Sequence, residues 1–349
     1  MFFFCKNPQV FYLGNVQRRP DKMTKELNVL YQFDNNYAPY AGISMLSLFE
    51  NNKNIDTINV YCAATDDVSD ENIELLNKTA AGYRRQISYL DTKAAVKQIK
   101  EMKLGVWNGS LATWIKIFVI DGFIEKHEKL LYIDSDTLIE GSLADLCDYD
   151  FEGKAVASVV DSLGFERLQQ LGIQENKYYY NAGVMFLNLE YFRQHEGCYG
   201  NMIKHLAKNV DRYPVNDQDL LNDYFGKSIK RMNPKYNLQG FHYMYPDNLY
   251  FKVYGKYDYY SKEEIEAAKN DVRILHFFRA IGDYPWTEGN YHPLKAEFER
   301  WKNMSLWRNR PNEEKKRSLV FKIERKMYRC LPKAVFLHIF KFITKYVVG

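Results

Sequence analysis

The sequence predicts an α/β fold: a mostly parallel, Rossmann-like sheet with helices on both faces. Three observations carry that reading. Short apolar, β-branched runs alternate with stretches of helical periodicity. Several of those runs end in an aspartate. No internal repeat and no Gly/Ser-rich linker divides the first 300 residues, which argues for one domain.

The elements follow in order. "LNVLYQF" (27–33) reads as a buried strand and "YAGISMLSLFENN" (40–52) as a helix with apolar residues at helical spacing. "INVYCAA" (58–64) is a second strand. "SDENIELLNKTAAGY" (69–83) opens with Ser69 three residues before Asn72, and acids fill its first turn, a helix start. "QISYLD" (86–91) is strand-like, and two helices then run to the end of "LATWIKIFVIDGFI" (111–124). "LLYID" (130–134) and "AVASVVD" (155–161) are strands by β-branched content. "AGVMFLNLEYF" (182–192) continues the pattern, and "VRILHFF" (272–278) is its last strand. Ligands of such sheets lie beyond the carboxyl ends of the strands. Asp34, Asp134 and Asp161 each close a strand. Together at one sheet edge they would form an acidic rim suited to a cation or a sugar.

Bulk composition narrows the classes. With 46% hydrophobic and 26% charged residues, the 349-residue chain falls in the globular range. Five scattered cysteines form no CxxC pair, so neither a zinc knuckle nor a disulfide framework is indicated, and a reducing cytosol fits. The N-terminus lacks a basic lead and a small-residue cleavage site, and residues 1–26 are expected to be a poorly ordered lead-in. The net charge of +4 is unevenly spread. From Lys315 onward ten Lys/Arg face a single acid, Glu324, which makes +9 and leaves −5 on the body. A nucleic-acid reader would carry its basic surface on the folded body, so that class is excluded.

The segment "EKLLYIDSDTLIEG" (128–141) poses the chemical question. Asp and Ser are turn residues, and a surface turn would explain them. On an extended segment, however, residues i and i+2 point the same way, so Asp134 and Asp136 can converge on one ion. Carboxylates that leave open positions suit Mg²⁺ or Mn²⁺, and an added imidazole favours Mn²⁺.

Four segments in order resemble glycosyltransferase family 8, the nucleotide-sugar enzymes that include glycogenin and the bacterial galactosyl- and glucosyltransferases of lipopolysaccharide and capsule synthesis. They are "FDNNYAPYAGISMLSL", "YIDSDTLIEGSLADL", "YYYNAGVMFLNL" and "NDQDLLN", within about residues 27–300. The resemblance implies a GT-A fold, a UDP-hexose donor, Mn²⁺, and transfer with retention of configuration. It further implies that Asp134, Asp136 and His276 bind the metal, and that Asp34, Asn36 and Tyr37 line the uridine pocket. Asn181, Asp217 and Gln218 would face the donor sugar, with Asp161 near its hydroxyls. Two departures stand out. Lys116 takes the place of a donor-contacting arginine, one residue further from Asp134, and offers a point charge where arginine offers a fork. The closing segment "HFFRAIGDYPW" is two residues longer than the family's and lacks its diphosphate-binding lysine, which Arg279 would replace. Two alternatives are a catalytically degenerate partner subunit and a haloacid-dehalogenase-type phosphatase. The phosphatase would want Thr where Leu138 stands, and its nucleophile strand would open the fold.

The division expected is a lead-in over 1–26, a transferase domain over 27–310 and a basic amphipathic tail over 311–349. "SLVFKIERKMYRC" (318–330) sets Leu319, Ile323, Met327 and Cys330 on one helical face, with Lys322, Arg325 and Arg329 opposite. After Pro332 a second helix carries His338, Lys341 and Lys345 along a narrow stripe. A helix docked on the domain is the ordinary reading. A membrane span is excluded by Lys341 and Lys345, whereas helices lying in the interface of an anionic membrane fit. The protein is therefore expected to be cytoplasmic and peripheral on the inner face of the cell membrane, with a glycan or glycolipid acceptor. Every candidate site residue precedes residue 310, so donor chemistry is expected to survive loss of the tail.

Overall fold

The computed structural model describes residues 24–106, 111–162, 164–173, 177–254 and 259–343. Most of the expected lead-in and the last six residues, Lys345 among them, lie outside these.

Eight-residue strands β1 (Glu26–Phe33) and β2 (Thr57–Ala64) pair in parallel from Glu26↔Thr57 to Phe33↔Ala64. The remaining strands are β3 (Ile87–Tyr89), β4 (Lys129–Asp134), β5 (Thr137–Ile139), β6 (Val156–Val160), β7 (Tyr180–Asn188), β8 (Ile229–Arg231), β9 (Leu238–Gln239) and β10 (Ile274–His276). The main sheet has the order β3-β2-β1-β4-β7-β6-β8. All its pairings are parallel except those of β7, which runs antiparallel to both β4 and β6. The seven residues after Glu26 in β1 and all five of β6 are buried, because helices cover both faces. The reversal of β7 matters for the site. It brings the first residues of β7 to the edge where β1, β4 and β6 end, so Asp34, Asp134, Asp161 and Asn181 share one rim.

One strand departs from the sequence reading. The run 272–278 forms only the three residues of β10, outside the main sheet. It lies between β5, to which it is antiparallel, and β9, to which it is parallel, with His276 opposite Thr137 and Gln239. Leu275 and Phe277 instead fill a second core with Tyr40, Trp286, Phe298 and Trp301, while Ile274 joins the main one.

The C-terminal segment forms helices Leu319–Cys330 and Lys333–Ile343, separated at Pro332. Tyr328, Phe336 and Leu337 pack with Phe241, Met244, Tyr245, Val253 and Ala280. The first helix docks on a face other than its apolar stripe. Arg325 is 9% exposed, while Leu319, Val320 and Ile323 are 73%, 74% and 52% exposed. Two contacts set this face: Tyr328 packs into that cluster, and the buried carboxylate of Asp283 pairs with Arg325 and Arg317. Among the described residues no helix is long and apolar enough to cross a membrane.

Candidate active site

Asp134 ends β4, but Asp136 does not continue it as an extended strand. The chain bends at Ser135, whose buried hydroxyl donates to Gln32 O at 3.0 Å, and resumes as β5. The convergence of the two carboxylates thus comes from a bend, and β10 completes it. Phe277 N donates to Asp136 O at 2.9 Å, which sets His276 Nε2 3.3 Å from Asp136 Oδ1. One ligand atom from each of Asp134, Asp136 and His276 lies within 4.8 Å of the others. Gly183 leaves the room: a Cβ there would fall 2.3 Å from His276 Cε1 and 2.8 Å from Asp134 Oδ2.

A chain of amides holds the imidazole. His276 Nδ1 donates to Asn237 Oδ1 at 3.0 Å, and Asn237 Nδ2 donates to Asn181 Oδ1 at 2.8 Å. Asn181 Oδ1 also accepts from Gly183 N, while its Nδ2 donates to Asp161 Oδ2 at 2.8 Å and to Gln218 Oε1 at 3.2 Å. Gln218 Nε2 donates in turn to Asp161 Oδ2. The relay has one direction, ending on a carboxylate, so Nε2 is the ring atom left toward the aspartates. Burial lowers the pKa of His276, but the charges of Asp136, Asp134 and Asp161 outweigh it and leave it raised. A place that draws a proton this way also draws a cation. Two carboxylates and an oriented imidazole, backed by a hydrogen-bonded outer shell, fit a Mn²⁺-type ion.

Lys116 occupies the other side of the carboxylates. Its ammonium is 3% exposed and lies 2.7 Å from Asp217 Oδ2 and 3.7 Å from Asp134 Oδ1. It also donates to Ala182 O at 3.2 Å and sits 3.9 Å over the Tyr132 ring. Burial pushes Asp217 up to about 6, against the pull of Lys116. The neighbouring Asp219 has a different task. It is fully buried in a bidentate pair with Arg167 and accepts from Tyr179, anchoring the helix Asn216–Phe225 that carries Asp217 and Gln218.

Beside the carboxylates lies a cleft of about 220 Å³, lined by Gln32, Asp34, Asn36, Tyr37, Thr113, Tyr132 and Tyr284 as well as Asp134 and Asp136. Asp34 Oδ1 accepts from the backbone N–H groups of Asn36 and Tyr37 at 3.1 Å each, which shapes the turn from β1 into the helix Ala38–Asn51. Tyr37 packs edge-on against Tyr40 at 5.7 Å, and Tyr40 stacks on Trp286 at 4.2 Å. Arg279 is exposed at the rim, 5.1 Å over the Tyr284 ring.

Asp134, Asp136, His276, Asn181, Asp161, Gln218, Asp217 and Lys116 therefore form one connected cluster, Asp34, Asn36 and Tyr37 line the adjoining cleft, and Arg279 stands at its edge. Three contributors escaped the sequence reading of the site. Asn237 lies in no motif, Tyr132 is hidden in an apolar strand, and Tyr284 sits in the lengthened closing segment.

Residues 28–289 match the family model described as glycosyl transferase family 8. The chain belongs to that family. The family-8 chain is 28% identical over 306 residues to the lipopolysaccharide 1,2-glucosyltransferase of Escherichia coli, covering 85% of this chain and 84% of that one. It is 25% identical over 332 residues to the lipopolysaccharide glucosyltransferase WaaO of Escherichia coli K12, covering 91% of each. Among solved structures, the galactosyltransferase LgtC, determined with donor and acceptor sugar analogues, aligns with a TM-score of 0.63 at 20% identity, covering 80% of this chain and 96% of that one. That likeness gives the fold, GT-A, as the four sequence segments implied. This family-8 protein is a glycosyltransferase, and the phosphatase alternative falls with the family assignment.

Proposed function

We propose that this protein is a retaining hexosyltransferase that moves glucose or galactose from a UDP-sugar to a lipopolysaccharide-type or other lipid-linked cell-surface glycan. The observation that carries the reading is the convergence of Asp134, Asp136 and His276 at the head of a cleft walled by Asp34, Tyr37 and Tyr284. Those three residues would hold Mn²⁺, which when bound neutralises negative charge developing on the departing diphosphate. Arg279 adds a cation at the cleft rim. The anomeric carbon passes through an oxocarbenium-like state, and the oxygens of Asp217 and Gln218 would stabilise it from beneath the ring. Asp161, held in place by Asn181 and Gln218, would accept hydrogen bonds from sugar hydroxyls, with Asn181 fixing the floor beneath them. Lys116 keeps a positive charge between Asp134 and Asp217, so the loss of the usual arginine does not empty that position, which argues against a degenerate partner subunit. The names of the Escherichia coli relatives support a lipopolysaccharide acceptor.

The exposed Leu319, Val320 and Ile323 stand beside Lys322 and Lys326 on the docked helix, and a surface of that make-up fits the interface of an anionic membrane. The protein would then work at the inner face of the cell membrane. A panel of UDP-sugars tested for hydrolysis with and without Mn²⁺ checks the donor assignment. Release of UDP from UDP-glucose or UDP-galactose only with the metal is the expected result, and metal-independent or absent release from every donor would overturn it.

A further inference from the structure

The segment between His276 and Trp286 makes a tight two-residue turn. Ala280 and Asp283 exchange backbone hydrogen bonds of 2.8 and 3.1 Å, and the central residues Ile281 and Gly282 have φ of +48° and +71°. Such a turn suits Asn-Gly or Gly-Gly; a β-branched residue at positive φ is strained. Strain of this kind persists only where the surroundings over-determine it, and here the C-terminal segment does so. Lys315 Nζ donates to Gly282 O at 2.5 Å. Phe321 packs so closely on Gly282 that a Cβ there would lie 2.2 Å from its ring. Asp283, 1% exposed, is held by Arg317 at 3.3 Å and by Arg325 at 3.2 Å. The same two arginines donate to Glu288 O and Gly289 O on the far side of the segment.

The residues flanking the turn are Arg279 and Tyr284. Tyr284 stacks on Trp286 at 4.5 Å and walls the nucleotide cleft beside Tyr37, while Arg279 lies over its ring. We propose that the basic C-terminal segment is part of the donor site: Arg317 and Arg325, acting through Asp283, are positioning residues that hold Tyr284 and Arg279 in place for the nucleotide diphosphate. The inference rests on the reading of the cleft as a nucleotide site. It reverses the expectation that a chain ending at Arg310 keeps its donor chemistry, since such a chain would lack every group that clamps the turn.

Binding of UDP with Mn²⁺ to the full-length protein tests it. The R317A/R325A variant should bind UDP about tenfold more weakly, within the usual range of coupling between sites. Its kcat at saturating donor should change far less, and R317K/R325K should recover most of the affinity. Because coupling is reciprocal, UDP should slow amide hydrogen exchange across residues 317–330 of the unaltered protein. That second measurement decides the matter if the alanine variant fails to fold. A folded R317A/R325A protein with unchanged UDP affinity, or exchange indifferent to UDP, overturns the inference. A wild-type protein that binds no UDP removes the nucleotide reading and this inference with it.

Discussion

Replacing Asn237 by Leu removes the link between the imidazole and the amide relay while keeping side-chain volume. Asn237 is 1% exposed, so water cannot take its place. Two hydrogen bonds go, but the losses are unequal. His276 Nδ1–H is left without a partner, whereas Asn181 Oδ1 still accepts from Gly183 N at 2.9 Å. One orphaned buried donor costs about 1–3 kcal/mol and one lost bond with a surviving partner about 0.5–1.5 kcal/mol, so destabilisation of roughly 1.5–4.5 kcal/mol is expected. The freed ring can also turn or change tautomer, and loss of such an outer partner weakens metal affinity about 10–100-fold. Asn237→Asp keeps an acceptor for Nδ1–H but loses the donor to Asn181, so it should spare metal affinity more than stability. Urea denaturation reads the first quantity, and the paramagnetic resonance signal of free Mn²⁺ reads the second. A folded Asn237→Leu protein that binds Mn²⁺ as tightly as wild type would refute the relay.

Lys116→Met should cost about 3–5 kcal/mol at pH 7.5, the usual cost of leaving one partner of a buried ion pair alone, because Lys116 is the cation that pulls the buried Asp217 back towards its ionised form. The cost should shrink at pH 5, where Asp217 is already protonated, and Lys116→Met/Asp217→Asn should recover most of it; urea midpoints at both pH values check this. His292 is buried, donates to Phe278 O and accepts from Leu294 N, and burial lowers it to about 4. Its folded value lies below the unfolded 6.5, so its contribution is present above pH 6.5 and lost as pH falls towards 4, by about 3 kcal/mol. His292→Gln should flatten that part of the stability–pH curve. The intact protein should sediment with anionic liposomes at low salt, and the triple change Leu319→Ser, Val320→Ser, Ile323→Ser should abolish this; equal sedimentation would remove the exposed apolar face as the anchor.

The parts of the site legible in the sequence are those whose position along the chain also fixes their place in space. Asp34, Asp134 and Asp161 close parallel strands, so their order in the sequence puts them on one rim. Asp217 and Gln218 open a helix aimed at that rim. Asn237 was not legible because it stands 39 residues before His276 and meets it only through the β9–β10 pairing. Tyr132 reads as one more apolar strand residue until Lys116 is seen over its ring. The orientation of the helix Leu319–Cys330 was hidden for a related reason. Helical periodicity reports where apolar residues fall, but the helix docks through Arg325, and the carboxylate that draws it in belongs to a turn far back in the chain.

Asp134, Asp136 and His276 are proposed to hold the metal that serves the donor diphosphate. Hydrolysis of UDP-glucose and UDP-galactose by wild type and by Asp136→Ala, at saturating Mn²⁺ and at matched folded concentration, tests it most directly. A surface turn residue would tolerate the exchange within about 0.5 kcal/mol and leave turnover alone. Metal-dependent UDP release by wild type is expected, and its loss in a variant that keeps the wild-type circular dichroism. Near-normal turnover by Asp136→Ala would contradict it.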